Sequence, residues 1–201
     1  HQEARRQRQM CIRDRLKTLA VSLMKIVNDL RWLGSGPRCG IGEINLPSLQ
    51  PGSSIMPGKV NPVIPESTMM LCATVLGNDV AINTGGQHGN FELNVMIPMI
   101  ANHLLESTRL LANGCRNLVD RCVNGIEANR ERAAGLIEGS LAMVTALAPI
   151  IGYDAAAKIA KESYKTGRTV REIALEQKVI PEADLNRVLD ARSQTEPGVP
   201  K

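Results

Sequence analysis

Residues 52–62 read "GSSIMPGKVNP". Two glycines, two serines, a lysine and an asparagine in so short a stretch are the residue types that cradle phosphate groups. The spacing argues otherwise. A phosphate-binding P-loop puts four residues between its first glycine and the Gly-Lys pair, followed by Ser or Thr to hold magnesium. Here five residues separate Gly52 from Gly58, and Val60 follows Lys59. The preceding "EINLPSLQP" is also a poor strand, because its two prolines cannot donate to a ladder. What remains is a flexible loop with one full positive charge at Lys59 and an amide donor and acceptor at Asn61. It lies just ahead of a helix start with its free N–H groups. That set suits a small carboxylate, and Ser53 and Ser54 become candidates for acid–base work. A serine-rich turn over a helix cap is built from the same residues and stays open as an alternative at this point.

The elements around this loop read as helices. Leu16, Leu19, Leu23, Ile26, Leu30 and Leu33 advance by three and four in alternation, the 3.5-residue repeat of a helix packed in a left-handed bundle. Gly34, Gly36 and Pro37 stop that helix, and residues 34–62 hold six glycines and five prolines. A loop this long is functional or disordered. A second helix starts near Pro65 and carries an apolar stripe of Met69, Ala73, Leu76 and Val80, with "TGGQHGN" expected to break it at 84–90. A third helix is expected over about 91–122, with Ile97, Ala101, Leu104, Thr108, Leu111, Cys115, Leu118 and Cys122 in its seam. Pro98 either kinks it or marks its true start. Past Gly125 the helices shorten. Asn129 is an expected N-cap for a helix to about 148. Asp154 is expected to cap a helix that Gly167 closes. Thr169 with Glu172 forms a capping box, and Pro181 opens a last short helix.

The composition agrees with an all-α fold. Hydrophobic residues make up 43% of the 201, but aromatics only 2%, so the core is aliphatic, Met and Ala. Such a core suits helix on helix better than a β-sandwich. Net charge is +4, and the arginine-rich residues 1–15 carry much of the excess. No aromatics are interleaved there, which argues against nucleic acid and for a frayed, solvated terminus. The five cysteines are odd in number and none is spaced C-x-x-C, so neither a disulfide framework nor a zinc site is expected. No apolar run approaches the length of a membrane span. A third helix of about 45 Å would exceed the roughly 35 Å width of an isolated globule of this size. Oligomerisation, or a missing part of the chain, is therefore expected, and the biased start suggests a fragment.

A family resemblance bears on the open choice. "GSSIMPGKVN" fits the signature G-S-x-x-M-x-x-K-x-N of the fumarase/aspartase superfamily at every fixed position. "RWLGSGPRCGIGEINLP", "GNDVAINTGGQHGNFELNV" and the stretch from "GIEANRER" to "ALAPIIGYDAAAKIA" resemble class II fumarase. The likeness spans about residues 16–196, and residues 1–15 have no counterpart in it. Aspartate ammonia-lyase is the nearest alternative; its typical versions differ at Cys39, at Gly58 and in "GNFEL". A non-catalytic helical assembly module is the alternative from another class.

The resemblance implies a hydro-lyase that interconverts fumarate and L-malate without metal or organic cofactor. Ser53, as its alkoxide, would be the base. Ser54, Lys59, Val60 through its backbone, and Asn61 would contact the substrate. Glu66 would match an acidic position that modulates activity, although a carboxylate in the first turn of a helix is also favoured there by helix polarity alone. Residues 16–124 would be the later part of a central long-helix bundle and residues 125–201 a small C-terminal helical domain. The family assembles as a homotetramer whose sites are shared between subunits, in the cytoplasm or the mitochondrial matrix. Its other two signature regions lie upstream and are not found in these residues. His88 and His103 are expected to be a loop histidine and a bundle-side polar residue, not ligands.

Overall fold

The computed structural model describes residues 2–50, 52 and 55–197, with side chains from residue 10 onward. The order is helix α1 (Gln2–Leu33), strand β1 (Ile44–Asn45), helices α2 (Val63–Gln87) and α3 (Ile97–Arg121), and strand β2 (Glu127–Ala128). Short helices follow: α4 (Arg130–Glu138), α5 (Ala148–Ile151), α6 (Tyr153–Thr166), α7 (Val170–Glu176) and α8 (Glu182–Val188), with 3₁₀ turns between. The chain divides into two compact units, residues 1–128 and 129–201.

In the first unit α2 packs along both α1 and α3, and β1 pairs antiparallel with β2 through Ile44–Ala128 and Asn45–Glu127. Helix α1 runs on to Gln2 instead of fraying before residue 16. The segment has no glycine or proline, and arginine, glutamine and alanine are strong helix formers. Helix α2 continues through Thr84, Gly85 and Gly86. Gly85 is buried, and a Cβ there would sit 2.7 Å from the Met99 methyl and 3.1 Å from Ile100. The glycine therefore lets α3 approach α2 rather than ending α2. Pro98 lies in the first turn of α3, which starts at Ile97 and is about 37 Å long, shorter than expected.

The buried faces are shifted from the apolar repeats. On α1, Ala20 and Val27 are buried with Leu16 and Leu23 packed beside them, while Leu19 and Ile26 are exposed. On α2 the inward residues are Thr68, Cys72, Val75, Asn78 and Asp79; Ala73 and Val80 face out. On α3, Ser107 and Gly114 replace Thr108 and Cys115 at the interior. Each inward polar group has a partner, as burial demands. Thr68 donates to the Ile64 carbonyl at 2.9 Å, and Asn78 donates to the Ser107 hydroxyl and to Glu106, each at 3.2 Å. The Asp79 carboxylate lies 3.1 Å from Arg13 Nε and 2.9 Å from Lys17 Nζ, both on α1. Leu71 fills the space a Cβ would need at Gly114, 2.4 Å away.

The second unit has its own core of Leu147, Ile159, Val170, Ile173, Leu185 and Leu189, all nearly or fully buried. Asn129 caps α4, accepting from the Arg132 N–H at 3.2 Å, but α4 stops at Glu138 because Gly139 and the capping Ser140 start a new turn. Gly152, at φ +86°, precedes α6, so Asp154 lies in its first turn rather than at its cap. Gly167 closes α6 at φ +72°, in the left-handed region that favours glycine. Thr169 and Glu172 form the reciprocal capping box of α7.

Arg171 on α7 ties this unit together. Its guanidinium makes a two-pronged pair with Glu138 on α4, Nη2–Oε1 at 2.7 Å and Nε–Oε2 at 3.0 Å. It also donates to the Asn186 side chain at 2.9 Å and to the Leu189 carbonyl at 3.1 Å. Hydrogen bonds from Arg171 hold the Glu138 carboxyl below its ordinary value, outweighing the opposing effect of burial. A carboxyl with a lowered folded-state pKa stabilises the fold above its unfolded value, and that stability is lost as pH falls through the folded value. Arg171→Met should therefore lower stability at neutral pH and flatten the decline in stability below about pH 4.5, the ordinary glutamate range. Urea unfolding at pH 7 and pH 3 measures both. An unchanged difference between the two pH values would remove this pair as a source of acid sensitivity.

Candidate active site

The long connection between α1 and α2 brings the signature segment to the start of α2. Ser53, Ser54 and Pro51 lie outside the described residues. Their neighbours are closed by a clasp. The Gly52 N–H donates to the Lys59 carbonyl at 2.6 Å, and the Asn61 amide donates to the Gly52 carbonyl at 2.8 Å. Both polar backbone groups of Gly52 are thereby bound. Gly52 has no room for a side chain: a Cβ would stand 2.2 Å from the Lys59 oxygen and 2.8 Å from the Asn61 nitrogen. Gly58 turns the loop at φ +79°, where an L side chain is strained. The loop glycines thus serve backbone approach and reversal.

The rim of the clasp borders an open cleft of about 400 Å³ lined by Ser48, Gln50, Gly52, Gly58, Lys59 and Val60. Lys59 and Val60 are exposed, and Lys59 has no acidic partner among the described residues. A free ammonium on a concave surface attracts an anion. Asn61 is half-buried; one amide hydrogen serves the clasp, and the second has no acceptor among the described residues.

Helix α2 then opens without a side-chain cap. Pro62 is its N-cap, the Val63 N–H donates to the Asn61 carbonyl at 2.9 Å, and the Glu66 N–H to the Pro62 carbonyl at 3.1 Å. Glu66 occupies the first turn and its Oε1 lies 3.8 Å from Arg31 Nη2, at the end of α1. Sequence reasoning had no signal for Arg31, because a contact between the last turn of one helix and the first turn of the next is set by the loop between them.

The other ionisable candidates lie elsewhere. His88 ends α2, and His103 on α3 stands 3.7 Å from Glu106. Cys72 and Cys122 are buried in the helix seams, and burial pushes both thiols up. Among the described residues no three acidic, histidine or cysteine side chains converge as a metal-ligating group, and no helix is long and apolar enough to cross a membrane.

Known proteins resemble this chain in sequence and fold. A lyase family model matches residues 2–77, so the arginine-rich start lies inside the match, and a model of the fumarase C C-terminus matches residues 143–195. The class II fumarate hydratase of Ralstonia nicotianae is 62% identical over 80% of this chain and 35% of its own length. Among solved structures, the "fumarate lyase:delta crystallin" of Brucella melitensis bound to cobalt is 48% identical, with a TM-score of 0.86 over 90% of this chain and 39% of that one. The recombinant class II fumarase of Schistosoma mansoni is 39% identical, with a TM-score of 0.80 over 87% of this chain and 36% of that one. The chain thus spans little more than a third of the length of the relatives it matches. With that likeness in sequence and fold on both units, the chain belongs to the class II fumarase family of the fumarase/aspartase superfamily.

Proposed function

We propose that this chain supplies the signature-loop part of a fumarate hydratase, with a small dicarboxylate as substrate. The observation that carries the proposal is the Gly52 clasp with Lys59 beside it. The clasp holds the backbone on both sides of Ser53 and Ser54, and it leaves one cation facing the cleft. Lys59, the second amide hydrogen of Asn61, the Val60 backbone and Ser54 grip the substrate. Ser53 takes the proton from the carbon next to a carboxylate, and the charge that builds there is an aci-carboxylate. Stabilising that charge with preorganised donors is the largest part of the catalysis. A serine alkoxide is reached only with a nearby cation and backbone N–H donors, which Lys59 and the loop backbone would supply once the loop folds over the substrate. Residues 16–124 act as the later part of a central helical bundle and residues 125–201 as a small C-terminal domain. The remaining groups of each site come from upstream regions in a homotetramer, with the cytoplasm or the mitochondrial matrix as its compartment.

Three measurements on the full-length polypeptide test this. Ser53→Ala should slow turnover by roughly two to four orders of magnitude with little change in substrate binding, the usual worth of a positioned base. Ordinary turnover in that variant would take Ser53 out of the mechanism. Fumarate should be hydrated in ammonium-free buffer containing a chelator. Aspartate formed only with ammonium would instead make the enzyme an ammonia-lyase. Gly52→Ala should cost at least about a hundredfold in turnover, because the new methyl meets backbone rather than a side chain that can move aside, and small misplacements of reacting groups carry losses of that order. An active Gly52→Ala enzyme would show that the clasp is not needed for chemistry.

A further inference from the structure

We propose that Arg31 is a positioning residue that acts through Glu66, holding its carboxylate in place at the start of α2. This rests on Glu66 contributing to turnover, as the fumarase reading has it. Arg31 lies in the last turn of α1, where a cation is favoured by the helix's unpaired carbonyls, and Glu66 lies in the first turn of α2, where an anion is favoured. The guanidinium is held from two sides. Its Nη1 is 3.5 Å from the Asn28 carbonyl oxygen Oδ1 on its own helix and 3.3 Å from the Met69 sulfur, three residues after Glu66 on α2. Its Nε is buried with no hydrogen-bond partner, while the side chain as a whole is 36% exposed. From that position Nη2 stands 3.8 Å from Glu66 Oε1. At this distance the pair attracts but forms no hydrogen bond. The carboxylate is therefore biased in orientation while its acceptor sites stay open to another group.

The test is a double-mutant cycle in the full-length polypeptide, reading kcat and KM separately. Glu66→Gln and Arg31→Gln should each lower kcat by about tenfold with KM changed by less than about twofold, and the double variant should be no slower than Glu66→Gln alone. Arg31→Lys, which keeps the charge and most of the stem, should recover much of the loss, and Arg31→Met carries the same cycle should Arg31→Gln fail to assemble. Losses that multiply in the double variant would mark Arg31 as a structural residue independent of Glu66 and overturn the proposal. Slow Glu66→Gln beside a fully active Arg31→Gln would overturn it while leaving the role of Glu66 intact. Full activity in Glu66→Gln would remove that role and the coupling together, and Ser53→Ala would then report separately on the proposed chemistry.

Discussion

The absent side chain at Gly52 is the constraint on which the signature loop depends. With a Cβ only 2.2 Å from the Lys59 oxygen, any other residue would force the two backbones apart. Both hydrogen bonds of the clasp would then stretch, and the segment between them would lose its anchor. The clasp also sets where Lys59 emerges, because the carbonyl that accepts from Gly52 belongs to Lys59 itself. One residue therefore contributes its backbone to closure and its ammonium to the cleft. Asn61 couples the same closure to α2, since its amide binds Gly52 and its carbonyl receives the Val63 N–H. Loop shape and helix start are a single hydrogen-bonded unit, supported from behind by the packing of α2 on α1 and α3.

That packing relies on small and polar residues more than on bulk. Gly85 and Gly114 let Met99, Ile100 and Leu71 pass close to a facing helix. Asp79 is buried against two cations from α1, and Asn78 against Ser107 and Glu106. Such pairs are weak sources of net stability, since removing charges from water is costly, but an unpaired partner is strongly penalised. The arrangement therefore specifies how α1 and α3 align with α2. The apolar residues this leaves outside include Leu19 and Ile26 on α1, Met70 and Val80 on α2, and Leu105 on α3.

This explains what was legible in the sequence. The signature loop was, because glycine, proline and the spacing of Lys59 and Asn61 are local requirements. So were the close of α6 at Gly167 and the capping box at Thr169, which are set within four residues, whereas α3, expected from about residue 91, starts at Ile97, where Pro98 was one of two readings. The all-α fold followed from composition and repeat. The inward face of α2 was legible only in part, since Met69 and Leu76 of its expected stripe do pack against the core. Apolar periodicity pointed to Ala73 and Val80, while the interior takes Thr68, Asn78 and Asp79, whose partners lie up to 66 residues away in sequence at Arg13. Gly85 read as a breaker because its helix-packing role exists only once α3 is in place. Arg31 was silent for the same reason, and Ser53 and Ser54 lie outside the described residues.

The cations divide according to what holds them. Arg13 and Lys17 are bound to Asp79, and Arg171 is bound to Glu138 by two hydrogen bonds. These charges are neutralised within the fold and exert little pull on a ligand. Lys59 has no such partner among the described residues and lies on a cleft, so its field reaches solvent. Arg31 stands between these cases, packed by Asn28 and Met69 yet only loosely paired with Glu66. A tight pair would stabilise the junction of α1 and α2 but would occupy the carboxylate. A free carboxylate would remain available but would be poorly oriented. A distance of 3.8 Å between a held cation and an acid in a first helical turn gives orientation without occupation, as the role proposed for Glu66 requires.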